Sequence, residues 1–233
     1  MSAAEHEAVT DLPGLARVQA IEVRIDTNEN GIEIRLPEAR LGFRHSFVSG
    51  ALPLRARQST QALLKACNNK QHNIKSILDL TAGWGIDSFT LACHGQQVRL
   101  LEQNELVYAI VAGSLHQLSL DKQGAAIAER MKIENINAYD YLKSLNDNNA
   151  HDCIYLDPMF PRSKSGAKPA KEMQILQALA GNVEIDACFE LALQKAHRRV
   201  VVKRPAKAAQ LSTLKPDLVY REKTIRFDVY LTR

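Results

Sequence analysis

The chain has 233 residues, of which 45% are hydrophobic and 24% charged, with a formal net charge of +4. This composition is ordinary for a globular domain with a small appendage, and the mild positive charge permits a polyanionic partner without requiring one. The four cysteines are far apart and form no C-x-x-C pair, so they suit neither a zinc site nor a disulfide framework. No apolar run is long enough to cross a bilayer.

The beginning of the chain is polar and acidic, unlike a signal peptide. The cysteine pattern suggests a reducing compartment. We therefore expect a cytoplasmic protein without a membrane partner. The histidines show no spacing that would predict a metal site.

The first fifty residues predict a small β-rich unit. Apolar and polar residues alternate here, and Asn28-Glu29-Asn30-Gly31 is a strong hairpin turn between two such runs. The predicted strands are 18–25, 32–36 and 44–48. We place the boundary near Pro53, so that 1–53 form the N-terminal unit and 54–233 form the main domain.

Further along, helical spacing predicts a helix at 59–67, and from Asn73 onward strands and helices alternate. Alternation of this kind predicts an α/β fold with a mostly parallel sheet. The predicted strands are 75–80, 98–102, 132–136, 152–156 and 199–203. The predicted helices are 87–94, 104–119, 139–145 and 171–197, the last one interrupted near Gly181. Two strand-like runs, 217–221 and 226–231, close the chain as a hairpin.

A glycine-containing turn follows the first strand of this alternating region, in the stretch Asp79-Leu80-Thr81-Ala82-Gly83-Trp84-Gly85. Gly83 and Gly85 lack side chains where the turn is tightest, so a ligand can approach the backbone there. Asp87-Ser88 is the predicted N-cap of the next helix, whose free N–H groups would face the same gap. In open α/β sheets, ligands bind beyond the carboxyl ends of the strands.

This turn is not a dinucleotide fingerprint, because Ser88 stands where G-x-G-x-x-G needs its third glycine, and no Walker pattern is present. An acid, Asp79, followed by spaced glycines instead resembles motif I of S-adenosylmethionine (SAM) methyltransferases. An ordinary tight turn between a strand and a helix is the alternative interpretation.

Two further acids follow later strands. Glu102 ends the second strand about 20 residues after the turn, the distance at which an acid accepts from the ribose hydroxyls of a bound nucleoside. The alternative for Glu102 is an exposed acid at a strand end. Asp140, after the third strand, could either accept from an adenine amino group or cap a helix.

Asp157-Pro158-Met159-Phe160 directly follows an apolar strand and resembles the D/N-P-P-Y/F motif of amine-directed nucleic-acid methyltransferases. An exocyclic base amine is a poor nucleophile because its lone pair is delocalised into the ring. A carboxylate and a backbone carbonyl can hold its two N–H groups in line with the methyl sulfonium, and Phe160 offers a face for a flipped base. We therefore predict Asp157, Pro158 and Phe160 as catalytic residues, with a simple Asp-Pro turn as the alternative.

Cationic side chains follow this motif, where RNA phosphates would lie. A solvated surface is the alternative for such runs. The predicted RNA-binding residues are Arg162, Lys164, Lys168, Lys171, Lys203 and Arg204.

From about Leu41 to the end, the chain resembles the bacterial ribosomal small-subunit methyltransferase J family (RsmJ). The matching strings are Asp79-Leu80-Thr81-Ala82-Gly83, Leu101-Glu102, Leu156-Asp157-Pro158-Met159-Phe160-Pro161, Lys171-Glu172-Met173, Arg199-Val200-Val201-Val202-Lys203-Arg204-Pro205 and Arg226-Phe227-Asp228. The resemblance implies a SAM-dependent methyltransferase (Rossmann-like) fold, with a mostly parallel seven-stranded sheet and a C-terminal antiparallel hairpin.

The resemblance also implies the activity: methyl transfer from SAM to the exocyclic N2 amine of a guanine in 16S rRNA. The expected partner is 16S rRNA or the small ribosomal subunit, and nothing in the sequence indicates an obligate protein partner. The predicted cofactor-binding residues are Asp79, Gly83, Gly85, Ile86, Asp87, Glu102, Gln103, Tyr139, Asp140 and Asp157.

Other functions stay open at this point. An adenine-N6 methyltransferase would use the same Asp-Pro-x-Phe chemistry, since the shape of the pocket selects the base. A non-catalytic RNA-binding protein on the same fold is disfavoured by the intact Glu102 and Asp157. A nicotinamide-dependent oxidoreductase is disfavoured by the missing third glycine.

Overall fold

The computed structural model of the protein describes residues 14–18, 21–50, 53–54, 56, 61–68, 74–146, 151–159, 169–179 and 184–232. The strands are β1 (Gly14–Val18), β2 (Ile21–Asn28), β3 (Gly31–Leu36), β4 (Leu41–His45), β5 (Ser76–Asp79), β6 (Gln97–Glu102), β7 (Met131–Asn135), β8 (Cys153–Leu156), β9 (Arg199–Pro205), β10 (Leu218–Arg221) and β11 (Ile225–Leu231). The helices with defined bounds are α1 (Gln61–Cys67), α2 (Ile86–Cys93), α3 (Glu105–Leu120), α4 (Ala125–Ala128), α5 (Ala138–Ser144), α6 (Lys171–Leu179) and α7 (Ile185–Lys195).

A seven-stranded sheet, ordered β10-β11-β9-β8-β5-β6-β7, forms the centre of the fold. Strands β5 to β9 pair in parallel, whereas β11 runs antiparallel to both β9 and β10. The predicted mostly parallel sheet with a C-terminal antiparallel hairpin is therefore confirmed. Strand β5 lies between β6 and β8, where the strand order reverses, and open α/β sheets bind their ligands at this kind of position.

Successive residues of the central strands face opposite sides of the sheet. In β5, Ile77 belongs to one hydrophobic cluster and Leu78 to the other, and Tyr155 and Ile154 of β8 are divided in the same way. The first cluster continues into α1, α2 and α3, and the second into α5 and α7. Because both faces are covered, these strands appear in the sequence as continuous apolar runs.

The strands β1 to β4 form a separate, four-stranded antiparallel sheet. Its predicted turn is confirmed, since Gly31 has a φ of 126° and the N–H of Asn30 donates to Oδ1 of Asn28 over 2.9 Å. The predicted strand 18–25 is divided between β1 and β2, and the strand predicted at 44–48 lies earlier, at β4. The alternation of apolar and polar residues could not locate these strand ends, because paired strands of one sheet share the same period-two pattern.

The small sheet packs on the first cluster of the main domain. Ile32, Ile34 and Phe47 are buried in that cluster, together with residues of α3. A hydrogen bond of 3.1 Å from the Gln117 side chain to the carbonyl of Asn28 joins α3 to the rim of the sheet. The division of the chain into a unit at 1–53 and a domain at 54–233 stays a prediction.

The N-cap predicted for α2 is wrong. The helix begins at Ile86 behind Gly85, which has a φ of 69° and provides no side-chain cap. The carboxylate of Asp87 and the hydroxyl of Ser88 bond instead to groups of other elements. Both side chains therefore belong to the site described below rather than to the helix end.

Two other helix predictions are corrected. Asp140 does not cap α5, because the side chain of Asn137 accepts the N–H groups at that end and Asp140 lies in the first turn. The predicted helix 171–197 is divided into α6 and α7, and Gly181 lies outside the described residues. Helix α4 was not predicted, and its four residues are too few for a periodic signal.

Candidate active site

A cavity of about 800 Å³ opens at the carboxyl ends of the central strands. Its wall includes Gly83 after β5, Glu102 at the end of β6, Asp157 after β8 and Lys203 in β9. Helix α6 adds apolar side chains, among them Leu176. The volume lies in the range of about 300 to 1,000 Å³ that is usual for cofactor sites.

The turn after β5 has left-handed backbone at both glycines, with φ values of 50° at Gly83 and 69° at Gly85. A Cβ on Gly83 would lie 2.9 Å from Cδ2 of Leu176, a side chain that can move, so the left-handed backbone is the stronger reason for glycine at this position in the cavity wall. Gly85 is not in the wall, and a Cβ there would contact Phe47 in the core. Backbone conformation and packing explain Gly85, and its predicted ligand contact gains no support.

Glu102 is held by two backbone donors. The N–H of Gly83 donates to Oε2 over 3.0 Å, and the N–H of Asn104 donates to Oε1 over 2.8 Å. Burial raises the pKa of Glu102 above its usual value, while these hydrogen bonds oppose that shift. Each carboxylate oxygen has a second lone pair, so the group can still accept bonds from a ligand in the cavity.

Lys203 joins two carboxylates of the site. Its Nζ lies 2.7 Å from Oδ2 of Asp87 and 2.8 Å from Oδ2 of Asp157. The hydroxyl of Tyr155 donates to the same oxygen of Asp87 over 2.6 Å. Lys203 of β9 therefore joins the first turn of α2 to the loop after β8.

Asp79 lies behind this group and is 2% exposed. Its Oδ2 accepts from the hydroxyl of Ser88 over 2.6 Å, and its Oδ1 accepts from the N–H of Thr81 over 3.0 Å. Burial is the main cause that raises the pKa of Asp79 to about 7, and the negative charges of Asp87 and Asp157 add to it. Asp79 therefore shapes the turn from behind and also lines the cavity.

The Asp-Pro motif starts in the cavity wall. The backbone N–H of Asp157 donates to Oγ1 of Thr81 over 2.7 Å, which fixes the motif against the glycine turn. Pro158 is buried and Met159 is 42% exposed, and both line the cavity. Phe160, predicted to stack on the target base, lies outside the described residues, and the catalytic roles of Asp157, Pro158 and Phe160 stay predictions.

The predicted cofactor contacts divide into two groups. Ile86, Asp87 and Gln103 line the cavity with the residues named above. Oε1 of Gln103 accepts from the side chain of Asn137 over 2.8 Å, so this amide is oriented by the start of α5.

Tyr139 and Asp140 are not in the wall. Asp140 is exposed on α5, and the ring of Tyr139 has the ammonium of Lys143 at 4.7 Å from its centroid. The cavity is lined instead by Ile136 and Ala138, which the sequence analysis missed. The predicted polar contacts of Tyr139 and Asp140 gain no support from this position.

The described residues among those predicted to bind RNA differ in their exposure to solvent. Lys171 is exposed at the start of α6. Lys203 is paired inside the cavity wall, and Arg204 is 7% exposed with its guanidinium donating to the carbonyl of Ala209. Neither can present a free cation to a phosphate, so we withdraw these two predictions. The remaining three lie outside the described residues: Arg162, Lys164 and Lys168.

Sequence reasoning missed the pairing of Lys203 and the contact of Tyr155. Period-two alternation could have indicated the shared face, because Val201 of β9 pairs with Tyr155 of β8 and Lys203 is two residues further on. The indole of Trp84 was missed as well. Its Nε1 donates to the carbonyl of Glu172 over 2.8 Å and so ties the glycine turn to α6.

In the described part of the chain, no three His, Cys, Asp or Glu side chains are grouped as a metal site. No helix there is long and apolar enough to cross a membrane. The expected absence of a metal and of a membrane partner stays a prediction.

The donor set of the cavity fits SAM. Glu102 offers oxygens that can accept from ribose hydroxyls, and the turn at Gly83 exposes backbone to a ligand. The carboxylates of Asp87 and Asp157 supply negative charge, which suits a ligand that carries a sulfonium and an ammonium. Ile136 and Ala138 add an apolar surface of the kind that a purine ring requires.

Fold and site together define a SAM-dependent methyltransferase. A family model described as "Putative SAM-dependent methyltransferase" matches residues 10–232. A protein named ribosomal RNA small subunit methyltransferase J from Nitrosococcus oceani is 38% identical over 205 residues, covering 86% of this chain and 81% of that protein. The protein of the same name from Aeromonas hydrophila subsp. hydrophila is 36% identical over 231 residues, covering 95% and 88%. The chain therefore belongs to the ribosomal RNA small subunit methyltransferase J family, as the resemblance in the sequence predicted.

A solved structure agrees with this assignment. The SAM-dependent methyltransferase from Neisseria gonorrhoeae is 26% identical and has a TM-score of 0.74, and the match covers 99% of this chain and 92% of that one. The protein is thus an enzyme whose cofactor is SAM.

Proposed function

We propose that the enzyme methylates the exocyclic N2 amine of a guanine in 16S rRNA. The family name of its relatives supports an rRNA substrate. The observation that most supports an amine target is the position of Asp157, whose backbone is fixed by Thr81 and whose carboxylate is paired with Lys203 in the wall of the SAM cavity.

The residues of the chain divide the work of binding and orienting. When bound, SAM supplies an activated methyl group. Glu102 accepts from the ribose hydroxyls, and Asp87 and the turn at Gly83 surround the charged methionine end. Ile136 and Ala138 contact the adenine. The shared position of these residues in the wall of one cavity supports these roles.

Asp157 acts on the target base. Its carboxylate accepts from an N–H of the amine and so orients the nitrogen lone pair, while Pro158 restricts the backbone that holds the carbonyl acceptor. Oδ2 of Asp157 already accepts from Lys203, and the carboxylate keeps further lone pairs with which it can accept from the base. Preorganised acceptors of this kind contribute to rate because they cost no reorganisation during the reaction.

The RNA backbone approaches beside α6. Lys171 is exposed at its start, and the sequence places Arg162, Lys164 and Lys168 shortly before it. Cations here would contact phosphates and so position the RNA without selecting a base. An rRNA substrate would also place the enzyme in the cytoplasm, with 16S rRNA or the small subunit as its partner.

The test uses SAM with a labelled methyl group and 16S rRNA from cells that lack the modification, both as free RNA and in small subunits. Digestion to nucleosides and mass spectrometry should give labelled N2-methylguanosine. Labelled N6-methyladenosine would overturn the guanine assignment in favour of an adenine-N6 enzyme. Absence of label from both RNA forms would overturn the rRNA substrate.

A further inference from the structure

Lys203 is a cation in a cavity wall that contains several acids. Among the described residues that line the cavity, Lys203 is the one cation, and the same wall contains Asp79, Asp87 and Asp157. The side chain of Lys203 is 21% exposed, and its ammonium contacts two of these carboxylates at 2.7 and 2.8 Å. A cation withdrawn from most of its water and shared by two acids is costly unless its contacts are kept.

We propose that Lys203 is a positioning residue, which keeps Asp157 ionised and directed into the cavity and ties it to Asp87 in the first turn of α2. The inference rests on the proposed role of Asp157 toward the target amine. It assigns to Lys203 no contact with the RNA, in contrast to the phosphate contact expected from the sequence.

The charges around Asp157 explain why a cation is needed. Apart from Lys203, the titratable groups described around Asp157 are acids: Asp79 at the end of β5, Asp87 in α2 and the phenol of Tyr155 in β8, with the thiol of Cys67 in α1 beyond Tyr155. Burial is the main cause that raises the pKa of Asp157 above its ordinary value, the charge of Asp87 adds to this rise, and the ammonium of Lys203 opposes it.

Loss of the ammonium would therefore leave carboxylates that repel one another. Asp157 would then take up a proton at higher pH, because an opposite charge at this distance lowers a carboxyl pKa by about one to three. A protonated Asp157 carries a donor where the target amine needs an acceptor. The site would bind SAM and RNA but would hold the amine poorly.

Lys203 itself is not the proton acceptor. Burial alone would lower the pKa of its ammonium, but Asp87 and Asp157 outweigh burial and raise it above the usual value. The group thus stays charged throughout the working range of pH, and its contribution is electrostatic and geometric.

The experiment compares Lys203→Met, Lys203→Arg and the control Lys207→Met, which removes an exposed lysine four residues away. The first readout needs no RNA: the pKa of Asp157 is measured by carbon-13 NMR of labelled aspartate carboxyls, with Asp157→Asn to assign the signal. Lys203→Met should raise this pKa by about one to three. Lys203→Arg should restore most of the wild-type value, and Lys207→Met should leave it unchanged.

The second readout is the pH profile of kcat/KM with RNA. Lys203→Met should move its acidic limb to higher pH by about the same amount, with at least a tenfold loss of kcat at neutral pH. An Asp157 pKa and an acidic limb that both stay at the wild-type positions would overturn the inference. If Lys203→Met fails to fold, Lys203→Gln replaces it, because it also removes the charge while keeping a polar side chain, and an unchanged pKa of Asp157 would again overturn the inference.

These outcomes are separable from the proposed function. A wild-type enzyme that gives no methylated guanine contradicts the function, while the NMR titration still tests the link between Lys203 and Asp157. A wild-type enzyme that methylates guanine, combined with an unchanged titration in Lys203→Met, contradicts only the inference.

Discussion

Gly83 and Glu102 are joined by a hydrogen bond of 3.0 Å, from the backbone N–H of one to Oε2 of the other. This bond connects the turn after β5 to the end of β6, both of which line the cavity. The carboxylate is therefore oriented before a nucleoside arrives, and less conformational entropy is lost when the ligand binds.

Glu102→Ala should weaken SAM binding by about 1.5 to 3 kcal/mol, because two charge-assisted bonds to the ribose are lost. The fold should persist, since the residue ends a strand. Isothermal titration calorimetry measures the change, with the exposed Glu105→Ala as the matched control. Glu102→Gln keeps an oxygen for the N–H of Gly83 and should give an intermediate value. Equal SAM affinities for Glu102→Ala and wild type would remove Glu102 from the site.

Asp157→Ala should reduce turnover by roughly 100-fold or more, because one preorganised polar partner of the transition state is lost. The affinity for SAM should change much less, since the acceptor is directed at the amine. Single-turnover kinetics at saturating RNA, together with a SAM titration, separates the two effects. A decrease of only a few-fold would contradict the assignment of the Asp-Pro motif.

Asp79 should make the protein less stable as the pH rises. Its pKa in the folded state is about 7, chiefly because of burial, against an ordinary value of 3.8. The stability that this group provides is complete below pH 4 and is lost as the pH rises through 7. The loss is on the order of 4 kcal/mol for a shift of this size. Urea unfolding at pH 5 and pH 8 should show a smaller difference between the two pH values in Asp79→Asn than in wild type.

His45 of β4 connects the small sheet to the glycine turn after β5. Its Nε2 lies 2.8 Å from the carbonyl of Trp84 and must donate to it, so its Nδ1, 2.7 Å from Oγ of Ser114, accepts from that hydroxyl. The imidazole is fully buried and is therefore neutral. Burial is the main cause that lowers the pKa of His45 to about 4.

His45→Phe should keep the volume but leave Ser114 and Trp84 without these partners, at a cost of about 1 to 3 kcal/mol for each. In wild type, the stability provided by the neutral imidazole is present above pH 6.5 and is lost as the pH falls to 4, and this loss should be absent in the variant. Urea unfolding at pH 4.5 and pH 7 tests both points, with the exposed His94→Gln as control. A free energy of unfolding equal to that of wild type at pH 7 would contradict a stabilising role for the hydrogen bonds of His45.

Lys164, Lys168 and Lys171 are the lysines that remain candidates for phosphate contacts, two of them from sequence alone. Replacing all three by Gln should flatten the plot of log affinity against log salt by about 0.7 for each lost contact to single-stranded RNA, or about 2 in all. SAM affinity should not change. Lys122→Gln combined with Lys132→Gln is the control, since both lysines are exposed, one between α3 and α4 and the other in the edge strand β7. An unchanged salt slope would move the RNA path elsewhere.

The sequence by itself determined the fold class and the outline of the site. The central strands are buried on both faces, so their apolar runs stand out between the helices, and this alternation predicts a mostly parallel sheet. Asp79, Glu102 and Asp157 each lie at the end of a predicted strand. Parallel strands bring their carboxyl ends to one edge, and this rule was enough to bring the three acids together.

Only the tertiary structure decided what neighbouring side chains do. In the sequence, Lys203 is one cation in a basic run. Its place between Asp87 and Asp157 depends on the pairing of β9 with β8, which brings together residues that are far apart in the chain. Arg204, next to Lys203, faces the other way and is buried. A charged residue looks the same in a sequence whether water or a carboxylate surrounds it, because desolvation and pairing are properties of the packed structure.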